Sequence, residues 1–504
     1  MTEEVFRSKA VRKVLSLYEP IWALEYSMSM LYWDLNTYMP PGAAEERGVA
    51  RAKLVALKQK LLLSPEFREA FRVAEKEEGL NVYERGVLRV LKREIEKYER
   101  IPRELLEEEA RVTTEARKKW EEAKGKGDFR LFRDDLARVV DVERRKAECL
   151  LKEGMAGLYD ALLDLYEEGL TARDVDRLFS ELTGPLISLF RKVLDAGYFP
   201  SKHPLEEEAY DPEAMKYANL LVLEKLGYDF NRGRLDVSAH PFTTNMGLDD
   251  VRITTWYQGN DFRRSLGAAV HEFGHALYEL QIDRRLARTP VGEGVSLGVH
   301  ESQSRFWENI VWRTRAFAEH FTPLLRPFLP FLRRYSTNDV YRYFCIVRPE
   351  YIRVEADEIH YPLHVVLRYE IERGLIEGSV SVDEVPQLWN EKMEKYVGLT
   401  PPNDRLGCLQ DVHWSAGYIG YFPTYVIGSV LAAQIARSLE KELGSIEELV
   451  REGRFAPIRE WLREKVHRWG SALPPKELVR EATGEDLTAR YFLEYIEAKY
   501  ARCC

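Results

Sequence analysis

The stretch His271-Glu272-Phe273-Gly274-His275 has the residue types and spacing of a metal site. Two His four residues apart on a helix stand about 40° apart around its axis, so both imidazoles reach one ion while the Glu between them stands beside it as a base. The surrounding pattern is helical: Phe262, Leu266, Val270, Phe273, Leu277 and Leu280 recur at three- and four-residue spacing and form one apolar stripe. The two His lie roughly opposite that stripe, flanked by Gly267, Ala268 and Gly274, a small-residue face that predicts the floor of a cleft. A catalytic zinc takes three protein ligands and leaves a position for water. The extended pattern that would supply a third His is excluded, because Tyr278 and Gln281 stand where Gly and His are required. A Glu from a following helix is the other common solution. Glu301, near the polar end of the run from Gly298 to Glu308, is the expected ligand, with Glu308 two turns on as the alternative.

The elements that must hold these residues are mainly α-helical. Residues 43–63, 82–98, 102–124 and 131–163 are rich in Ala, Glu, Lys, Arg and Leu, with turns near Pro40-Pro41-Gly42, Ser64-Pro65 and Gly125 to Gly127. Thr171 is expected to cap a helix over 172–194, bent or broken at Gly184-Pro185, and Asp211-Pro212 to open one that stops at Gly227. From about Asn231 the texture changes. Residues 234–238 and 250–257 alternate as strands do, which predicts a small antiparallel β-sheet beside the His-bearing helix, placed to offer an edge to a peptide backbone. In the second strand Asp250, Arg252 and Thr254 share a face. A further long helix is expected from Pro349 to Gly374, kinked at Pro362. The organisation that follows is one catalytic domain over 1–504, with 1–230 a helical wall or lid and 231–504 the catalytic region.

A net charge of -9 with mixed signs throughout argues against a nucleic-acid binder. The acidic start, with no apolar region of signal-peptide length, reads as cytoplasmic. The uncharged run from Trp414 to Ile435 is interrupted by Gly417, Gly420 and Pro423, so it reads as a buried segment and not a membrane span. Five scattered Cys indicate neither a disulfide framework nor a zinc cage, and the terminal Cys503-Cys504 pair lacks the upstream context of a lipidation signal. Scarce Asn and Gln beside 31% charged residues fit a heat-adapted, thermostable protein.

Eight of the ten His fall between His240 and His413. His360 and His364 form a second four-residue pair, but with Tyr361 and Pro362 between them they read as core or supporting residues and not as a metal site. Six short motifs stand in order through this region: His240-Pro241-Phe242, Asp250-x-Arg252-x-Thr254, His271-Glu272-x-x-His275, His300-Glu301-Ser302-Gln303, Ile352-Arg353-x-x-Ala356-Asp357, and Gly407-x-x-Gln410-Asp411-x-His413-Trp414. Together they resemble the carboxypeptidase Taq family of zinc metallocarboxypeptidases. The resemblance implies a large helical body with a deep central groove, a homodimer, and a zinc-dependent enzyme, one Zn2+ (or Co2+) per subunit, that removes C-terminal residues from peptides with broad preference. A more distant likeness to thimet-type oligopeptidases keeps endo-acting cleavage as the alternative, with a non-catalytic helical interaction protein as the third reading.

Within that frame Glu272 is the expected general base, and the segment from His413 to Tyr425 supplies an imidazole and three phenols, Tyr418, Tyr421 and Tyr425, for the developing oxyanion. Which Tyr serves stays open. A free C-terminal carboxylate calls for a guanidinium, and Arg353 is the candidate on its motif, oriented by Asp357, with Arg405 as the alternative. Asp250 and Asp411 are expected to accept a proton from a ligand or catalytic imidazole. His240, Asp250, Arg252 and Gln410 complete the expected substrate-binding set.

Overall fold

The computed structural model describes residues 5–501, so Cys503 and Cys504 lie outside the described residues. Among these, twenty α-helices and one three-stranded sheet make up the regular structure. The chain gathers into two compact units. One contains the described residues up to Glu96 with His203–Phe344 and Ile435–Asp486; the other contains Lys97–Lys202, Cys345–Gln434 and the residues from Leu487 on.

In the first unit the sheet has strands β1 (Leu235–Val237), β2 (Thr243–Gly247) and β3 (Asp250–Thr255), in the order β1-β3-β2. It is mixed where sequence reasoning expected an antiparallel pair: β2 runs antiparallel to β3, but β1 runs parallel to it. The reason is β2, which the alternation did not reveal. The chain reverses once at His240-Pro241 and again after Gly247, and two reversals bring β3 back in the direction of β1. Thr254 of β3 fastens the first reversal, bonding Ser238 Oγ at 2.6 Å and accepting the Phe242 N–H at 2.9 Å.

The His-bearing helix spans Phe262–Leu280. Its expected apolar stripe is buried, Phe262, Leu266, Val270 and Phe273 to completeness. Its start has no side-chain cap of its own, since Asp261 sits in the left-handed region at φ 47°. Tyr343 takes over that task from a distance: its hydroxyl accepts the Arg263 N–H at 2.9 Å and donates to Asp261 Oδ1 at 2.5 Å. The face opposite the stripe is also packed, which sequence reasoning had read as open. A Cβ at Gly267 would meet the Trp312 ring at 2.7 Å, and one at Gly274 would meet Gln303 O at 2.4 Å and Ser304 Cα at 2.6 Å. Beyond Arg263 at its start, only the narrow strip of Arg264, Ala268, His271 and His275 keeps partial exposure.

The helix pressed against Gly274 is Leu297–Arg305, capped by Ser296 Oγ on the Val299 N–H and continuing as a π-helical turn, Phe306–Trp312. Its buried residues include Glu301 and Gln303, so the contact at Gly274 is also the contact that brings Glu301 to the two His.

In the second unit the expected helix from Pro349 is shorter. It is His360–Glu377, because Asp357 Oδ1 accepts the N–H groups of Ile359 (2.9 Å) and His360 (3.0 Å) and so begins it. Pro362 is thus the third helical residue, where no N–H is required, and no kink is needed. The helix Ala172–Ala196 carries a full capping box at Thr171 and Asp174 and runs through Pro185 unbroken, held by buried Leu182, Leu186, Leu189 and Val193. The expected helix over 131–163 divides into Arg133–Leu150 and Leu158–Leu163, with Gly154 at φ 89° in the intervening turn.

Since a methyl group at Gly274 would strike backbone atoms and not a flexible side chain, Gly274→Ala is expected to destabilise the fold by about 1–3 kcal/mol. Thermal unfolding of the two proteins side by side checks this, and equal Tm values would mean the helices separate without cost.

Candidate metal centre

His271 and His275 project from the exposed strip of their helix, and Glu301 meets them from Leu297–Arg305. Glu301 Oε2 lies 3.6 Å from His271 Nε2 and 3.5 Å from His275 Nε2, and one donor atom from each residue falls within 4.8 Å of the others. Donors holding one ion at ~2.1 Å in tetrahedral directions stand about 3.4 Å apart, so the set fits a small divalent metal.

The groups behind the donors fix which nitrogen faces inward. His271 Nδ1 lies 2.8 Å from Glu308 Oε2. A carboxylate accepts, so Nδ1 carries the proton and Nε2 presents its lone pair. Glu308 is held in turn by Arg305 Nη1 (3.1 Å) and Arg313 Nη2 (2.9 Å). His275 is set by a longer relay: its Nδ1 lies 2.8 Å from His300 Nδ1, and His300 Nε2 lies 2.7 Å from Glu279 Oε1. Glu279 also accepts from Gly294 N (3.0 Å) and Asn245 Nδ2 (2.6 Å). Read back from the carboxylate, His300 donates at Nε2 and accepts at Nδ1, so His275 is protonated at Nδ1 and free at Nε2.

Burial and charge act oppositely on the members of this group. Burial pulls the His275 imidazole down to about 4, against the bond to Glu301 and with the help of neighbouring His300. Burial also opposes a proton on His271, but the charges of Glu301 and Glu308 outweigh it and raise that pKa. Glu301 and Glu308 are held well below the usual carboxylate range: burial works against ionisation, and Arg305 with the neighbouring His overcomes it. Glu272 differs. It is buried, and desolvation raises its pKa despite His271 and the Thr243 hydroxyl, which donates to Oε2 at 2.6 Å.

A second polar cluster lies in the other unit. Arg353 is 4% exposed and donates from Nη2 to Asp411 Oδ1 at 2.9 Å and from Nη1 to Tyr361 Oη at 2.9 Å. Arg368, fully buried, donates from Nε to Asp411 Oδ2 at 2.6 Å. Two guanidiniums share one carboxylate, which holds Asp411 far below its usual range against the cost of burial. The Arg353 guanidinium lies over the Tyr425 ring at 4.7 Å, and Tyr425 Oη is 3.2 Å from His413 Nε2. Burial pulls His413 down to about 3; Asp411 opposes this while Arg353 and Arg368 add to it, so its imidazole is neutral at pH 7.

Several sequence expectations are relocated. Asp357 bonds the His360 ring at 2.8 Å besides capping its helix, and the orienting of Arg353 is done by Asp411. Asp250 forms a two-pronged pair with Arg252 (2.7 and 2.8 Å) and no bond to an imidazole. Asp411 is an ion-pair partner, with His413 Nδ1 at 3.9 Å. Gln410 has its amide engaged by the protein: Oε1 accepts from Arg353 N and Arg368 Nη2, while Nε2 donates to Tyr351 O. Arg405 and His240 are exposed, and Tyr418 is 49% exposed, stacked on Tyr421. Sequence reasoning missed Thr243, Glu279, Arg368 and Tyr361, and saw Glu308 only as a rival ligand. Glu279 alone carried a signal, four residues after His275 on the same face.

A family model described as carboxypeptidase Taq (M32) metallopeptidase matches residues 13–500. Thermostable carboxypeptidase 1 of Pyrococcus furiosus is 48% identical, with 99% of this chain and 100% of the relative covered. Carboxypeptidase 1 of Bacillus subtilis is 37% identical over 94% and 95%. A solved structure of Pyrococcus furiosus carboxypeptidase matches with TM-score 0.97 at 48% identity, covering 99% and 100%, and the M32 carboxypeptidase of Deinococcus radiodurans with TM-score 0.95 at 33% identity, covering 98% and 99%.

If Glu308 sets the tautomer of His271, Glu308→Gln, whose amide can offer a donor in place of an acceptor, is expected to weaken metal binding about 10- to 100-fold. Competition against a chelator of known affinity measures this.

Proposed function

Because this chain belongs to the carboxypeptidase Taq (M32) family of metallopeptidases and is a metallocarboxypeptidase, we propose that His271, His275 and Glu301 hold its catalytic metal, that the metal is zinc, and that Glu272 is the general base. The observation that carries this is the convergence of three donor atoms on one point with Glu272 on the same helix. Two imidazoles and a carboxylate suit Zn2+ among common divalent ions, with Co2+ an alternative on the same donors. When bound, the metal supplies Lewis acidity that activates water and polarises the scissile carbonyl.

The residues of the chain supply the proton handling. Glu272 Oε2 takes a proton from the attacking water and delivers it to the leaving amine, and the Thr243 hydroxyl holds that oxygen in place. Neutral His413 and the Tyr425 hydroxyl bonded to it are the donors proposed for the charge that develops on the carbonyl oxygen, in preference to the exposed Tyr418. Arg353 is proposed as the anchor for the substrate's terminal carboxylate. Its support is its place: the guanidinium lies over the ring of Tyr425, whose hydroxyl bonds His413, and a guanidinium offers a carboxylate a planar two-pronged fit. Broad residue preference, a homodimer, thermostability and cytoplasmic peptides as substrates complete the proposal; the name of the Pyrococcus furiosus relative supports thermostability.

Glu272→Gln is expected to keep its metal and lose about 10²- to 10⁴-fold in kcat, whereas Glu301→Ala is expected to lose the metal, both read by metal analysis of the purified protein beside peptide hydrolysis. Converting a peptide's terminal carboxylate to the amide should abolish its cleavage and raise KM beyond the measurable range. Cleavage of the amide at the rate of the acid would overturn the assignment of a carboxylate anchor.

A further inference from the structure

One buried carboxylate in the second unit, that of Glu372, takes no part in the chemistry above. It is 0% exposed and accepts three hydrogen bonds: from Tyr159 Oη (2.5 Å) and Gly420 N (3.1 Å) at Oε1, and from Trp414 Nε1 (2.9 Å) at Oε2. Two of these donors bracket one stretch of chain. Trp414 directly follows His413, and Gly420 directly precedes Tyr421. Between them lie only a short 3-10 turn, Trp414–Ala416, and two glycines with positive φ, Gly417 at 74° and Gly420 at 88°. The turn has its own backbone bonds, from Ala416 N (3.1 Å) and Tyr418 N (2.9 Å) to His413 O and from Ile419 N to Gly417 O (3.0 Å), but the N–H of Gly420 at its far end goes to Glu372. Gly420 is also held against the backbone of Leu162, where a Cβ would come within 2.9 Å.

We propose that Glu372 is a positioning residue, which fixes His413 relative to Tyr421 and Tyr425 by gripping both ends of the turn that separates them with the two oxygens of one carboxylate. The inference rests on the assignment of His413 and Tyr425 to the transition state. A carboxylate suits the task because it accepts at both oxygens, and the three donors work against the burial that pushes its pKa up to about 7; the amide of Gln would turn an N–H toward one of three donors. The side chain is placed for it by the helix His360–Glu377, whose Tyr361, Arg368 and Glu372 lie within an arc of about 40°. From that one face Tyr361 meets Arg353, Arg368 meets Asp411 and Gln410, and Glu372 meets the turn.

Removing a donor from the partner side tests this with least disturbance. In the metal-loaded full-length protein, Trp414→Phe and Glu372→Gln are each expected to lower kcat about tenfold or more, since misplacement of catalytic groups by 1 Å can cost about 10²-fold, with KM changed less than about twofold and bound metal per chain unchanged. The double variant should be no worse than the worse single one, because both break the same contact. Tyr159→Phe, which removes a bond to Glu372 that does not touch the turn, should lower Tm while kcat holds. A folded Trp414→Phe with wild-type kcat overturns the proposal, as do fully multiplicative effects in the double variant. Should Glu372→Gln fail to fold, Trp414→Phe decides alone. His413→Ala separates the two levels: unchanged kcat there refutes the transition-state assignment itself, whereas a collapse there with Trp414→Phe unaffected refutes only the grip.

Discussion

The close approach of two helices at Gly274 is the constraint on which the metal centre depends. Glu301 sits on a helix whose Gln303 and Ser304 backbone occupies the space of the missing Gly274 side chain. The motif therefore spends one of its two variable positions on distance and not on chemistry: the residue between Phe273 and His275 has no side chain because a carboxylate from another helix must reach across. Gly267 repeats the device on the same face two turns earlier, against Trp312, which belongs to the π-helical turn that also carries Glu308.

Charge is the second organising constraint. Each buried ion in the two clusters is matched by a partner at hydrogen-bond distance, as burial of an ion demands. Glu301 and Glu308 share Arg305, and Arg353 and Arg368 share Asp411. Arg313 also pairs with Glu308, so two carboxylates face two guanidiniums behind the His pair, and the buried Glu372 lies within the influence of Arg368 in the second cluster.

The HEFGH helix, its apolar stripe, most of the long helices and the helical class were legible because hydrophobic periodicity and capping chemistry are local. So was the grouping of His271 and His275 with Glu301, because side-chain type and spacing pointed to it and the three come together. What could not be read was set by contacts distant in sequence. Strand β2 has too little alternation to announce itself, and it made the sheet mixed. The Asp357 side chain reads locally as a neighbour of Arg353, but it spends both oxygens on the start of the next helix. The partners of His275 and Arg353 lie 25 and 58 residues away, beyond the reach of any periodicity. Pro185 and Pro362 look like breaks, yet buried leucines carry a helix through the first and helix-end geometry accommodates the second.

The face of His360–Glu377 that holds Tyr361, Arg368 and Glu372 has an evolutionary corollary. Because three separate stretches of chain are pinned to one rigid rod, their mutual spacing is set by the helical rise and not by the length of the peptide that joins them. The polypeptide between Glu377 and Gly407, which includes the helix Val385–Val397, can therefore gain or lose surface residues between relatives without shifting the groups on either side of it. Drift in length can accumulate there, while a single residue inserted between Tyr361 and Glu372 would rotate one anchor away from the others by about 100°.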